Sequence, residues 1–347
     1  MMKAVIAHGE GDLRVESVEP IAVSPDRVLV RIVYGGICGS DLHYAKDGRN
    51  GAYVIKTPLT LGHEVVGVVH DIGPAAETSL GVGARVAIHP ARPTPLPGGV
   101  HGAGFNLTPG GSYLGSASTD PHTQGGLVEF LEVTPEQLRE LPDGLPLRRA
   151  ALSEPLAVAL HGVGRLGERV RGANVLVSGA GPIGCLAIIA LRAAGAGRVV
   201  GADLQELPLE VAREVGADDV VRLGAGERLE AGGYDIVVEA AGVVPSLVAA
   251  LDAVRPGGSV LQLGMLPAGP LPIPMAGLIA KEVTLFGSQR FDVELDASVA
   301  LLAADPRAEA VITQVFGIDE AQDAFACAAD SSRSSKVLIN ISEDPEK

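Results

Sequence analysis

Four residues of this 347-residue chain carry side chains suited to a single metal ion: Cys38, His63, Glu64 and Glu154. Thiolate, imidazole and carboxylate are ordinary ligands of tetrahedral Zn2+. A catalytic site uses three of them and leaves a position open for water or substrate. Spacing alone does not join these residues, because they are widely separated along the chain. Taken singly, each has a structural alternative. Cys38 could be a small buried hydrophobe, His63 a satisfied core imidazole, and Glu154, next to Pro155, a first-turn acid of a helix. Beside a dinucleotide motif in the same chain, the set is expected to form a metal centre.

That motif is local. Val175-Leu-Val-Ser178 reads as a buried strand, and Gly179-Ala-Gly181-Pro182-Ile183-Gly184 follows at once. Residues Ile183 to Ala194 are apolar and Ala-rich and read as a helix. Strand, Gly-x-Gly-x-x-Gly and helix in that order form the fingerprint of a dinucleotide site. Gly179 permits the tight turn, Gly181 the approach of a pyrophosphate, and Gly184 close packing of helix on strand. The free N–H groups and positive dipole end of the helix face the phosphates. A second strand, Arg198 to Ala202, ends in Asp203, an acid placed to hydrogen-bond an adenosine ribose diol. Leu204 and Gln205 bring no cation for a 2′-phosphate, so NAD is expected rather than NADP. Gly264-Met265, at the end of a later strand, are expected beside the nicotinamide.

The elements that must position these residues fall into two kinds. Short alternating runs, Lys3–Ala7, Leu13–Val18 and Val28–Tyr34, give an all-β beginning. Further strands are expected at Val65–Val69, Gly81–Ile88 and Gly125–Val133. Pro90 to Gly115 is Pro/Gly-rich, nearly uncharged, and expected to hold little regular structure. Pro146 to Gly164 reads as a helix and as the hinge. From Gly172 onward strands alternate with helices: strands at Val175–Ser178, Val199–Ala202, Val220–Leu223, Ile236–Glu239, Val260–Leu263 and Val283–Gly287, and helices at Glu206–Val215 and Ser246–Val254. That alternation predicts an α/β fold with a doubly wound parallel sheet. Lys336–Ile341 is expected to return as a strand to the first, β-rich domain.

Composition bounds the function. The net charge of −15, with no Lys/Arg cluster, argues against a nucleic-acid partner. No apolar run approaches a membrane span, and the N-terminal residues lack a signal-peptide core. Three widely spaced cysteines, Cys38, Cys185 and Cys327, suit a reducing compartment rather than a disulfide scaffold. A cytoplasmic protein is expected.

The chain resembles the zinc-dependent medium-chain dehydrogenases, most closely their polyol branch of sorbitol, xylitol and L-idonate dehydrogenases. The resemblance runs over nearly the whole length. It rests on Gly36-Ile-Cys38-Gly-Ser40-Asp-Leu-His43-Tyr44, Gly62-His63-Glu64-Val-Val-Gly67, Ser153-Glu154-Pro-Leu-Ala157, Gly179–Gly184 and Gly287-Ser-Gln-Arg290-Phe291. It implies a GroES-like catalytic domain (1–152 and 290–347), a Rossmann domain (153–289), and an active site in the cleft between them. It implies Cys38 and His63 as zinc ligands and Glu64 as the carboxylate ligand, with Glu154 either replacing Glu64 or holding the zinc-bound water. It also implies a proton relay through Ser40 and His43, substrate contacts at Tyr44 and Arg290, and a homo-oligomer, tetramer or dimer. Arg49 and Lys56 are further candidates for an acid sugar's carboxylate, with solvent exposure the simpler account of both.

Many relatives bind a second, structural zinc on four cysteines. The matching places here are Thr94, Pro97, Val100 and Thr108, with His101 alone nearby, so one catalytic zinc and no structural zinc is expected. The implied reaction is hydride transfer between NAD and a secondary alcohol of a polyol or sugar acid, with L-idonate the first candidate. Sorbitol, xylitol, threonine and simple secondary alcohols are the alternatives. A catalytically silent NAD-binding relative would be expected to have lost Cys38, Ser40 or His63, and a zinc hydrolase would have no use for Gly179–Gly184 and Asp203.

Overall fold

The computed structural model describes residues 1–92, 104–108, 111–224 and 226–346. The fold is α/β and built on two main sheets. One has six parallel strands in the order Asp219–Arg222, Arg198–Asp203, Asn174–Ser178, Tyr234–Glu239, Val254–Gln262 and Thr284–Gly287. In chain order this is 3-2-1-4-5-6, the doubly wound arrangement that opens a crevice where the strand order reverses. Its central strands are short aliphatic runs because helices cover both faces. Val175, Leu176 and Val177 are fully buried. The strands and helices expected from Gly172 onward all form, with ends shifted by a few residues and Val254–Gln262 extended at its start.

The helix Pro182–Ala193 starts at the glycine turn with Pro182 in its first turn, where the missing N–H costs nothing. Gly184 is forced by contact: a Cβ there would lie 1.9 Å from the Gly179 carbonyl oxygen.

The second sheet is mixed. Its strands run Leu138–Glu140, Arg85–Ile88, Glu64–Ile72, Val28–Gly36, Lys336–Asn340 and Ile312–Gly317, with Phe130–Val133 also paired to Val28–Gly36. The C-terminal strand does return to the β-rich part. Lys336–Asn340 lies antiparallel to Val28–Gly36 and parallel to Ile312–Gly317. Gly36 pairs with Glu64 on the other side. The ends of three strands and the helix Gly39–Asp47 therefore converge.

Three expectations need correction. Gly81–Ile88 is strand only over Arg85–Ile88, because Val82 and Gly83 form a turn before it. Gly125–Val133 is regular strand only over Phe130–Val133. Before it, Gly125, Gly126 and Leu127 donate to the carbonyls of Thr60, Gly62 and Leu61, and Gly125 sits too close to the Leu61 backbone for any side chain. The helix expected over Pro146–Gly164 is two helices, Leu147–Ala150 and Ser153–Leu166. Pro155 cannot donate to the carbonyl four residues back, so it fits the first turn of a new helix and not the middle of a long one. The described residues of the Pro/Gly-rich lobe hold little regular structure, as expected: Ala91–Arg92 pairs with Ser112–Tyr113, and Phe105–Leu107 forms one 3-10 turn. Thr94, Pro97, Val100 and His101 lie outside the described residues. No helix among the described residues is long and apolar enough to cross a membrane.

Gly184→Ala is expected to lower stability by about 1–3 kcal/mol, the usual cost of overpacking a tight contact. Urea unfolding against the parent protein checks this.

Candidate active site

Cys38 is the N-cap of the helix Gly39–Asp47, and His63 and Glu64 lie where the strand Glu64–Ile72 begins. The donor atoms of Cys38, His63 and Glu64 all fall within 4.8 Å of one another. His63 and Glu64 are buried, whereas Cys38 is partly open. Thiolate, imidazole and carboxylate at that separation fit a zinc ion. Gly36 leaves room for this set, since a Cβ on it would lie 2.0 Å from Glu64 Oε2.

Two groups that pattern reading did not single out hold the set in place. Asp41, fully buried, accepts the Cys38 N–H at 2.9 Å and the Gly62 N–H at 3.1 Å. Its carboxylate also lies 3.9 Å from His63 Nδ1. Burial pushes the Asp41 carboxyl up, against the pull of His63 and the Cys38 N–H. Lys336, on the C-terminal strand, places Nζ 2.8 and 2.7 Å from the two Glu64 oxygens and 3.0 Å from the Ile37 carbonyl oxygen. Burial alone would push its ammonium down, and Glu64 and Cys38 more than reverse this. The same balance acts on His63: burial lowers it, Asp41, Cys38 and Glu154 raise it, and the result is about 10.

Glu154 stands outside the 4.8 Å set among the described residues. It opens the helix Ser153–Leu166 and is buried, and burial pushes its carboxyl up. The Tyr113 hydroxyl donates to it at 2.5 Å. Tyr113, also absent from the pattern-based candidates, packs its ring 5.6 Å from that of His63 and under the Arg290 guanidinium, 3.9 Å away. Arg290 has φ +49°. The Asn106 amide donates to the Gln289 carbonyl at 2.8 Å, and Glu294 accepts the Asp292 N–H at 2.7 Å, so the segment bearing Arg290 is held on both sides.

Ser40 and His43 stand three residues apart on the helix Gly39–Asp47, hence on one face. Ser40 is half-buried, and His43 is exposed and pairs with Asp47 at 3.1 Å. Tyr44 lies elsewhere. It shares the inward face with Asp41, is 1% exposed, and its hydroxyl accepts the Ala117 N–H at 3.0 Å. It braces the segment after Tyr113 rather than facing the cleft. Arg49 folds back onto the Gly51 carbonyl, and Lys56 pairs with Asp120 at the surface.

The glycine turn lies at the carboxyl edge of the parallel sheet. Gly179 has φ +93°, and Gly181 caps the helix Pro182–Ala193. A Cβ on Gly181 would meet nothing within 4 Å. Its lack of a side chain therefore answers no contact in the protein and fits a ligand that the backbone must approach. Asp203 accepts the Ala180 N–H at 2.8 Å and the Gln205 N–H at 3.0 Å, one bond on each oxygen. Each oxygen keeps a lone pair for a diol. Gly264 touches Gly242, where a Cβ would lie 2.2 Å from the Gly242 nitrogen, and Met265 is exposed. Buried Glu239, missed from the sequence, accepts the Ala241 and Gly242 N–H groups and a bond from the Gln262 amide. Gln262 Oε1 is buried beside it with no partner among the described residues.

A doubly wound sheet with an open glycine cradle, in one chain with a thiolate–imidazole–carboxylate cluster at the end of a mixed sheet, defines a dinucleotide-linked zinc dehydrogenase. Family comparisons agree. Residues 24–143 match the alcohol dehydrogenase GroES-like domain, and residues 182–304 match the zinc-binding dehydrogenase model. L-idonate 5-dehydrogenase (NAD(P)(+)) of Escherichia coli (strain K12) is 35% identical over 90% of this chain and 91% of its own length. Sorbitol dehydrogenase of Bacillus subtilis (strain 168) is 29% identical over 93% and 92%. The crystal structure of the E. coli L-idonate 5-dehydrogenase superposes with a TM-score of 0.90 over 98% of both chains, at 32% identity. A zinc-binding dehydrogenase from Sinorhizobium meliloti 1021, bound to NADP, gives 0.88 at 31% identity over 98% and 99%. The chain belongs to the zinc-binding polyol and alcohol dehydrogenases of the medium-chain family, and it is an oxidoreductase.

Two outcomes test the geometry. Gly181→Ala is expected to keep the parent melting temperature while weakening dinucleotide binding, seen by calorimetric titration. Lys336→Met leaves Glu64 buried without its cation and is expected to destabilise the metal-free protein by about 3–5 kcal/mol, with part of the loss recovered in zinc. Urea unfolding with and without the metal measures both terms.

Proposed function

We propose that the protein is an NAD-dependent zinc dehydrogenase acting on a secondary alcohol of a polyol or sugar acid, with L-idonate the first candidate. The observation that carries this reading is the convergence of the Cys38, His63 and Glu64 donors in a chain that also has the open Gly181 cradle. When bound, zinc supplies Lewis-acid acidification of the alcohol, and the nicotinamide supplies the hydride acceptor.

The chain's own residues do the rest. Cys38, His63 and Glu64 hold the metal, and Glu154, fixed by Tyr113, holds a water or a substrate hydroxyl beside it. Ser40 takes the alcohol proton and passes it along its helix face to exposed His43 and solvent. Asp203 holds the adenosine ribose, the first turn of the helix Pro182–Ala193 receives the pyrophosphate, and Gly264 and Met265 flank the nicotinamide. NAD is favoured because a 2′-phosphate would meet the Asp203 carboxylate, while Arg222 on the adjacent strand is engaged by Glu206 at 3.5 Å. Arg290 offers its guanidinium to a distal hydroxyl or carboxylate, and the likeness to L-idonate 5-dehydrogenase favours the carboxylate.

The test is reduced-cofactor formation on L-idonate, sorbitol, xylitol, threonine and simple secondary alcohols, with NAD or NADP, before and after chelation. The expected result is chelator-sensitive turnover that is strongest with NAD and L-idonate. Best turnover on a neutral polyol would move the substrate to sorbitol or xylitol. No turnover by protein shown to bind zinc and dinucleotide would overturn the reading.

A further inference from the structure

Tyr113 meets three groups that otherwise belong to separate parts of the site. Its hydroxyl donates to Glu154, its ring lies tilted against that of His63, and its ring face carries Arg290. It is itself 6% exposed, so these contacts are made out of water. A hydroxyl bonded to a carboxylate at 2.5 Å is a charge-assisted bond of the stronger kind. A guanidinium over a ring face within ~6 Å is held by the ring quadrupole. The backbone on either side of Arg290 is pinned, yet only the Tyr113 ring faces its guanidinium among the contacts described.

We propose that Tyr113 is a positioning residue that sets both ends of the substrate: its hydroxyl keeps Glu154 out of the metal's inner set, and its ring aims Arg290 into the cleft. The inference deepens the proposed function and rests on it for the identity of the substrate. The hydroxyl matters because of coordination number. Cys38, His63 and Glu64 already supply three protein ligands, and a fourth would close the position that a substrate needs. Of the carboxylates beside His63, Asp41 is held by the Cys38 and Gly62 N–H groups, whereas Glu154 is held by the Tyr113 hydroxyl. The ring gives the guanidinium its direction. Arg has a long side chain with several rotatable bonds, and a stacked guanidinium loses less freedom when it meets a carboxylate.

Two variants separate the roles. Tyr113→Phe keeps the ring face and removes the hydroxyl, whereas Tyr113→Leu removes both. Each is loaded with Co2+ in place of zinc, and its visible spectrum is recorded before and during titration with L-idonate and with sorbitol in the presence of NAD. Tyr113→Phe is expected to shift the cobalt bands as Glu154 takes the fourth position in place of solvent, and its kcat should fall about 10–100-fold, the usual effect of losing a group that orients a metal-site residue. Its relative affinity for L-idonate over sorbitol should stay at the parent value. Tyr113→Leu should show the same spectral change and also lose the preference for L-idonate. A Tyr113→Phe spectrum superimposable on the parent's overturns the role of the hydroxyl. An unchanged preference in Tyr113→Leu overturns the role of the ring. The spectra do not depend on turnover, so an inactive parent protein would count against the proposed function and leave the coordination test intact.

Discussion

Three carboxyl groups, Asp41, Glu64 and Glu154, are buried around one imidazole and one thiol. Carboxylates packed together out of water repel one another and lose hydration, so each needs a cation or a ring of donors. The fold supplies a different answer for each. Glu64 has the Lys336 ammonium, Asp41 has two backbone N–H groups and the His63 imidazole, and Glu154 has the Tyr113 hydroxyl. Those partners come from the C-terminal strand, a helix N-terminus, a strand start and the Pro/Gly-rich lobe. The charge requirement thus fixes the mutual placement of segments that share no sequence neighbourhood. A divalent cation at Cys38, His63 and Glu64 would answer the same requirement directly.

The dinucleotide side obeys a different constraint. Nothing there depends on a buried charge cluster; it depends on how closely backbones approach. Gly184 lets the helix Pro182–Ala193 sit on the turn, Gly264 lets two strand-end loops touch, and Gly181 leaves space that the protein itself does not fill. The helix Ser153–Leu166 joins the two regimes. Its first turn carries Glu154 into the metal region, and its body packs against Pro182–Ala193 and Leu295–Ala304. Ser298 adds a buried bond to the Ser153 carbonyl at 2.6 Å. A shift of this helix would therefore move Glu154 relative to both the metal ligands and the cofactor turn.

What could be read from the residues follows from this difference. The cradle is encoded by neighbours in the chain, so Gly179, Gly181, Gly184 and Asp203 were legible from order and spacing. Cys38, His63 and Glu64 were legible by side-chain type, but their convergence needed the mixed sheet. Lys336 was not legible as a partner of Glu64, because only the antiparallel return of the last strand brings a residue 272 positions away into contact. Tyr113 was not legible as a partner of Glu154 and Arg290 for the same reason, since its stretch has no periodicity. Tyr44 shows a subtler limit. The motif places it next to His43, but one residue along a helix is a turn of roughly 100° about the axis. The side chain therefore goes to the core face with Asp41 while His43 goes to water. The hinge helix was legible as a helix, and only Pro155 reveals that it starts afresh at Ser153.

The lobe after Pro90 carries Thr94, Pro97, Val100 and Thr108 where many relatives have zinc-binding cysteines, so it has no thiolates at those places to anchor it. Its described residues are tied down by other means. Ser112–Tyr113 pairs with Ala91–Arg92, the Asn106 amide reaches the Gln289 carbonyl and lies 3.2 Å from His161 Nε2, and Tyr113 bonds Glu154. The first of these ties lies within the lobe; the others run to the helix Ser153–Leu166 and to the Arg290 segment. A lobe closed by its own metal would keep its shape whatever the cleft does. One tied as well to the helix Ser153–Leu166 and the Arg290 segment takes part of its shape from them, so a change at Glu154 or Gln289 is felt in the lobe.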